Sequence, residues 1–327
     1  MNQELSQSIR GGRKFRNSHR LLAFFSVAGV LLAGCSQSDR PASNAEASAK
    51  NVRISELSRI KEAVEPFFQP MQSRDHDWLQ DHPENGETFE EYTESKPILP
   101  TTDRKTIYIL PVGNFTPAER KMLNLTAEYM RAFYDLPVKL NPERPLGNVP
   151  KGQSRKVYGN KLQIRSGYFL NAVLPKLLPN DAAALVCFTN YDLYPEDTWS
   201  FVFGQASLED RVGVWSLSRL GGGKADGKIS LSRTLKIAIH ETGHMFSMRH
   251  CTKYECLMSG TNSLMETDRR PLDACPECMA KIAWAMKYDP ETRYRNLSEF
   301  WRKQGWPDEQ KAMADKANAV FAAGEKR

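Results

Sequence analysis

The chain predicts a mixed α/β (α+β) fold. A mostly parallel, twisted sheet with an antiparallel edge strand carries helices, followed by a metal-binding helix and a Cys-rich C-terminal subdomain. Three observations support this. Between residues 106 and 190, β-branched or continuously apolar runs alternate with segments of helical period, the rhythm of a parallel sheet. After residue 199 that rhythm gives way to two strand-like runs separated by a short polar turn, as in antiparallel neighbours. From His240 to Cys278 the chain gathers three of its six histidines and four of its six cysteines.

From the first residue, Arg10, Arg13, Lys14, Arg16 and Arg20 stand against Glu4, and the uncharged run LLAFFSVAGVLLAG follows. This pattern is the basic n-region and apolar h-region of a secretory signal, shorter than the about twenty residues of a membrane span. The run ends in Leu32-Ala33-Gly34-Cys35, which resembles the bacterial lipobox. Residues 1–34 are therefore expected to be a lipoprotein-type signal peptide and Cys35 the lipidation site. The expected location is a bacterial cell envelope, with the protein lipid-anchored to a membrane and facing the periplasm or exterior. Five basic residues and one acidic residue lie in the signal, so the balance of 45 to 39 falls to 40 to 38 without it. No basic run is interleaved with aromatics, and a nucleic-acid partner is excluded.

Residues 35–51 are small and polar, a flexible tether. Residues 52–105 form an N-terminal helical extension. Ile54, Leu57, Ile60, Val64, Phe67 and Phe68 follow helical spacing up to Pro66 or Pro70, and His76 and His82 lack partners at metal-ligand spacing, so they belong to a capping segment. The main domain is expected over 106–287. TIYILPV (106–112) reads as a strand, Thr116 to Tyr134 as a helix capped by Thr116 with Pro117 in its first turn, and PVKL (137–140) as a short strand. Residues 141–160 read as a loop and Leu162 to Leu178 as a helix. AALVCFTN (183–190) is a strand covered on both faces, with Cys187 a small buried hydrophobe. WSFVFGQA (199–206) and VGVWSLSR (212–219) form the antiparallel pair, and LGGGKADGKIS (220–230) is a flexible loop without phosphate-binding spacing. Leu235 to Phe246 is a helix, MAKIAWAMKY after Cys278 is another, and 288–327 is an amphipathic helical tail.

His240 and His244 are four residues apart, so on a helix both imidazoles project from one face. His250 lies six residues further, out of register, and the chain must leave the helix and fold back for it to join them. Zinc takes three protein nitrogens at about 2.0–2.1 Å and keeps a fourth position open where the site is catalytic. Glu241 sits about 100° round the helix from His240, off the coordination sphere. A carboxylate there accepts a proton from the water that attacks a peptide carbonyl and passes it to the leaving amine, which is hydrolase chemistry. A His-Glu-x-x-His run arises by chance in about one chain in a hundred of this composition, and the third histidine lowers that about fifty-fold, so coincidence is set aside. Cys251, Cys256, Cys275 and Cys278 have the composition of a closed four-thiolate zinc site, while an oxidising envelope leaves two disulfides open as the alternative.

These residues resemble the archaemetzincins, zinc peptidases of the metzincin clan in which His-Glu-x-x-His-x-x-Gly-x-x-His is followed by Cys, then Cys-x-Met, then Cys-x-x-Cys. Here the positions are His240, Glu241, His244, His250, Cys251, Cys256, Met258, Cys275 and Cys278. FVFGQAS (201–207), DLYPEDTW (192–199) and DRRPLDACPEC (268–278) are similar to the eukaryotic-type branch. The resemblance implies a zinc metallopeptidase with two zinc ions per chain, one catalytic and one structural. It implies Met258 as an apolar floor in a Met-turn, and the edge strand Phe201, Val202, Phe203, Gly204, Gln205 and Ala206 as the place where an extended peptide or protein substrate pairs. Ser247 departs from the family's glycine, and a left-handed backbone there would cost about 1–2 kcal/mol. No downstream tyrosine has a clear claim as an extra oxyanion donor. The expected partners are substrate and, through the lipid, a membrane, with the protein a monomer. The competing functions are a non-catalytic, zinc-stabilised surface binding lipoprotein and a zinc amidase acting on a cell-wall substrate.

Overall fold

A computed structural model describes residues 44–207, 209–221 and 227–325. The expected signal peptide, Cys35 and the centre of the glycine-rich loop lie outside the described residues. In chain order the strands are β1 (Thr106–Val112), β2 (Val138–Leu140), β3 (Ser154–Val157), β4 (Lys161–Arg165), β5 (Ala182–Thr189), β6 (Asp192–Tyr194), β7 (Gly204–Ala206) and β8 (Val212–Ser216). The helices are α1 (Asn44–Val64), α2 (Trp78–Asp81), α3 (Phe89–Glu94), α4 (Pro117–Tyr134), α5 (Ser166–Tyr168), α6 (Gly227–Met245), α7 (Leu264–Arg269), α8 (Pro276–Met286), α9 (Pro290–Gln304) and α10 (Pro307–Gly324).

Among the described residues the main sheet runs in the order β2-β1-β5-β8-β7, parallel except for β7, which pairs antiparallel to β8 at the edge. The predicted mixed sheet is what forms. Every residue of β5 is buried, which is why its sequence is continuously apolar rather than alternating. The crossover from β1 to β2 is α4, started by a capping box between Thr116 and Glu119 with Pro117 at its first position and ended by Asp135 in the left-handed conformation.

Several expectations are corrected. The tether was expected to be flexible through residue 51, yet α1 begins at Asn44, because the Ala, Glu and Lys of NAEASAK favour helix. The expected loop over 141–160 and the helix from Leu162 conceal a hairpin, β3 with β4. Gly159 and Asn160 turn it with φ of 75° and 57°. β4 also pairs parallel with β6, giving a second sheet in the order β3-β4-β6. The helical segment begins only at Ser166 and passes into a π turn (Phe169–Val173) and a 3-10 turn containing Pro175. α6 starts at Gly227, ahead of the expected Leu235. The strand expected over 199–206 is reduced to Gly204–Ala206, because Val202 N–H donates to Leu193 O at 2.9 Å in an isolated bridge to β6.

The N-terminal extension and the C-terminal tail are walls of the core. Leu57, Ile60 and Val64 of α1, Tyr129 and Phe133 of α4, Leu235 and Ile239 of α6, Phe300 and Trp301 of α9 and Val320 of α10 are buried in one cluster. A charged centre lies within the same packing. Asp273, just ahead of Cys275, accepts from Arg293 of α9 at 2.8 Å and from Lys316 of α10 at 2.9 Å, with all three side chains no more than 7% exposed. Burial alone would raise the Asp273 carboxyl, and the two cations hold it below its ordinary value. Removing one member of such a set leaves an uncompensated buried charge. Asp273→Ala is therefore expected to lower the unfolding free energy of the zinc-loaded protein by about 3–5 kcal/mol, read from urea unfolding.

Candidate active site

From Thr234 onward every residue of α6 is buried, as the helix packs against α4 and α7 and against β5, β7 and β8. Two tyrosine hydroxyls fix its last turns: Tyr134 donates to Ile239 O at 2.7 Å and Tyr92 to Phe246 O at 2.8 Å. The helix register sets His240 above His244, with their Nε2 atoms 3.0 Å apart. The chain leaves the helix at Ser247, where φ is 63°, and Ser247 Oγ accepts from Ile98 N–H at 3.0 Å. That left-handed turn swings His250 back until its ring centroid lies 5.2 Å from that of His240 and 5.0 Å from that of His244.

One ligand atom of each histidine falls within 4.8 Å of the others. The outward nitrogens all meet oxygens: His240 Nδ1 lies 2.9 Å from Leu257 O, His244 Nδ1 2.6 Å from Met248 O and His250 Nδ1 2.7 Å from a Glu84 carboxylate oxygen. Carbonyls and an ionised carboxylate only accept, so each Nδ1 is assigned the hydrogen and each Nε2 a lone pair. His250 Nε2 and Glu241 Oε1 are buried without a hydrogen-bond partner among the described residues. Three inward lone pairs beside an unpartnered carboxylate oxygen fit a zinc ion and its water. The 3.0 Å gap is close to the about 3.3–3.4 Å nitrogen spacing of a tetrahedral zinc.

Burial and mutual repulsion push the His240 imidazole well below its ordinary pKa, and burial with the neighbouring His250 pushes His244 down to about 3. Both rings are thus neutral, the form that ligates. Burial pushes the Glu241 carboxyl up to about 8. A dication beside it would draw that value back down.

Met258 is fully buried beneath the helix: a Cβ built on Gly243 would lie 2.6 Å from its sulfur. Its neighbour Leu257 supplies the carbonyl behind His240, so one short segment both packs against Gly243 and orients the His240 ring. The sulfurs of Cys251, Cys256, Cys275 and Cys278 lie within 4.8 Å of one another. Cys251 and Cys275 are separated by 3.5 Å, far beyond a disulfide bond of about 2.05 Å and close to the about 3.8 Å edge of a tetrahedral four-thiolate zinc. Met258 N–H and Cys275 N–H each donate to Cys256 Sγ at 3.3 Å.

At the sheet edge, Ser216 N–H donates to Phe203 O and Ser207 N–H to Val212 O. Alternation along an antiparallel pair then turns the backbone groups of Gly204 and Ala206 away from β8. A Cβ on Gly204 would lie 3.6 Å from Glu241 Cγ, which places β7 directly beside the carboxylate. Phe201, Val202 and Phe203, expected in the same strand, instead lead into it with buried side chains. The His82 ring lies 4.2 Å from that of Trp78, tilted by 36°, and is not a member of the histidine cluster. Sequence reasoning missed Glu84 and Trp78. They stand 166 and 172 positions before His250, and no spacing rule links them to it.

A mixed sheet whose buried helix carries two histidines and a carboxylate, with a third histidine folded back beside them, defines a zinc metallopeptidase. Residues 153–284 match the family model of Peptidase family M54. Human archaemetzincin-2 is 35% identical over 256 residues, spanning 68% of this chain and 71% of that protein. Mouse archaemetzincin-2 is 33% identical over 276 residues, spanning 73% and 77%. A crystal structure of an archaemetzincin from Methanopyrus kandleri aligns with a TM-score of 0.48 and 26% identity over 58% of this chain and 99% of that one. The chain belongs to the archaemetzincin family of zinc metallopeptidases.

Ser247 offers a test of the turn that delivers His250. Ser247→Gly removes about 1–2 kcal/mol of left-handed strain but also an acceptor worth about 0.5–1.5 kcal/mol, so its unfolding free energy is expected to stay within about 1 kcal/mol of the parent. Ser247→Ala keeps the strain and loses the acceptor, and urea titration is expected to show a loss of about 1 kcal/mol.

Proposed function

We propose that His240, His244 and His250 hold one catalytic zinc and that Glu241 serves as general base and then general acid in peptide-bond hydrolysis. The observation that carries this reading is the inward convergence of three Nε2 atoms beside a buried carboxylate oxygen with no other partner among the described residues. Bound there, zinc would polarise the scissile carbonyl and lower the pKa of the attacking water. Glu241 takes a proton from that water and delivers it to the leaving amine nitrogen. Gly204 and Ala206 turn their backbone groups away from β8, and an extended substrate pairs with them by adding a strand beside Glu241.

The four cysteines hold a second, structural zinc. Cys251 is bonded to His250, so a closed thiolate cage anchors the chain where the third imidazole departs, and the separation of Cys251 and Cys275 supports this over disulfides. Cys35 carries lipid and tethers a monomer to a bacterial envelope membrane, a reading supported by the basic and apolar character of residues 1–34. The substrates are then peptides or unfolded protein segments that reach that surface.

Glu241→Gln is expected to retain zinc while hydrolysis of a mixed peptide library, mapped by mass spectrometry, falls by at least about 10²–10⁴-fold. A wild-type protein inert on the library would favour a non-catalytic binding role. Cleavage of muropeptides but not peptides would favour a cell-wall amidase. Metal analysis is expected to give two zinc ions per chain. One zinc, with the four cysteines refusing to titrate after unfolding and chelation, would overturn the structural site.

A further inference from the structure

We infer that Glu84 is a positioning residue of the zinc site, holding His250 in the tautomer and orientation that aim its Nε2 at the metal. The inference rests on the proposed role of His250 as a ligand, and it assigns a part of the metal site to the N-terminal extension, ahead of the residues that match the family model.

His240 and His244 have their outward nitrogens held by carbonyls of the metal-binding stretch itself, Leu257 O and Met248 O. Their rings are further fixed by a rigid helix. His250 has neither advantage, because it follows the left-handed turn at Ser247 and sits in irregular chain. Its outward nitrogen meets Glu84 Oε1 at 2.7 Å. The same oxygen accepts from Trp78 Nε1 at 2.8 Å, so the carboxylate is oriented by two donors. The Trp78 indole stands edge-on to the His250 ring, centroids 5.2 Å apart and planes at 80°, and closes the other side of the imidazole.

This support is built into the fold. Trp78 is 8% exposed and its backbone N–H donates to the Glu266 carboxylate at 3.1 and 3.2 Å. The indole lies against Gly260, where a Cβ would come within 2.3 Å of Trp78 Cδ1. Two residues past Glu84, Gly86 adopts φ of 68°, and a Cβ there would meet Thr252 Oγ1 at 2.3 Å. The turn over 84–86 is thus pressed against the chain just beyond His250. A surface ion pair with a charged histidine would leave the far nitrogen in water, whereas His250 Nε2 is buried with no partner among the described residues and faces the other two imidazoles.

The chemistry of this contact differs from that of the two carbonyls. A carboxylate on Nδ1–H pulls that hydrogen harder, makes Nε2 a stronger donor and places a negative charge near the dication. Second partners of this kind contribute about 10–100-fold to metal affinity. The other histidines need less help, since helix geometry has already aimed them.

The test compares the parent with Glu84→Ala, Glu84→Gln and His250→Ala. Zinc affinity of the histidine site is measured against a chromophoric chelator with the thiolate site saturated, together with the visible absorption of cobalt bound at the histidine site. Glu84→Ala is expected to weaken zinc by about 10–100-fold and to shift the cobalt bands. Glu84→Gln keeps an acceptor for Nδ1–H without the charge, and it is expected to rescue part of the affinity and to shift the bands less. Should the alanine variant fail to fold, the glutamine variant decides, with weaker zinc and a shifted spectrum expected from it. Parent-like zinc affinity and cobalt spectra in both Glu84 variants would overturn the inference. A His250→Ala protein that holds zinc as tightly as the parent would instead remove the ligand on which the inference rests.

Discussion

Three imidazoles can share one cation only if every ring turns the same nitrogen inward, and each ring then needs an acceptor behind it. That constraint explains why so much of the chain converges on this place. Leu257 O serves His240 from the segment that carries Met258, Met248 O serves His244 from the turn after the helix, and Glu84 serves His250 from the N-terminal extension. The acceptors come from three separate parts of the fold, so the histidine cluster depends on the tertiary structure being complete.

The rest of the architecture holds these acceptors still. α6 is buried along its ligand-bearing half and tied at its carbonyls by Tyr134 and Tyr92, one from α4 and the other from α3. The strained backbone at Ser247 directs the chain back toward the cluster, and Cys251 joins a second cluster one residue beyond His250. Asp273 with Arg293 and Lys316 then ties α9 and α10 to the approach to Cys275. α1 shares one apolar cluster with α9 and α10, so both ends of the described chain pack around the zinc helix.

The clustering of the histidines and cysteines was legible in the sequence because it depends on short spacings. His240 with His244 is a helical repeat, Glu241 is adjacent, and the four cysteines sit within one stretch. The parallel order of the main sheet was legible for a similar reason, since β1, α4 and β5 each carry an unmixed period. Other features were hidden by overlap. β4 alternates over only Lys161–Arg165 and runs straight into Ser166, where helical geometry begins, so the two periods blur and the Gly159-Asn160 turn was absorbed into a loop. β7 is shorter than its apolar run because Val202 pairs with Leu193 of β6 rather than continuing the ladder with β8. Glu84 was invisible because a hydrogen bond across 166 positions leaves no local pattern.

The most direct test of the inward convergence is a crystal structure of the zinc-loaded protein with diffraction recorded at the zinc absorption edge. Two anomalous peaks are expected. One should lie among the Nε2 atoms of His240, His244 and His250 at about 2.0–2.1 Å, and the other among the sulfurs of Cys251, Cys256, Cys275 and Cys278 at about 2.3 Å. A histidine cluster without a peak at full zinc loading, or a peak bound through any Nδ1, would contradict it.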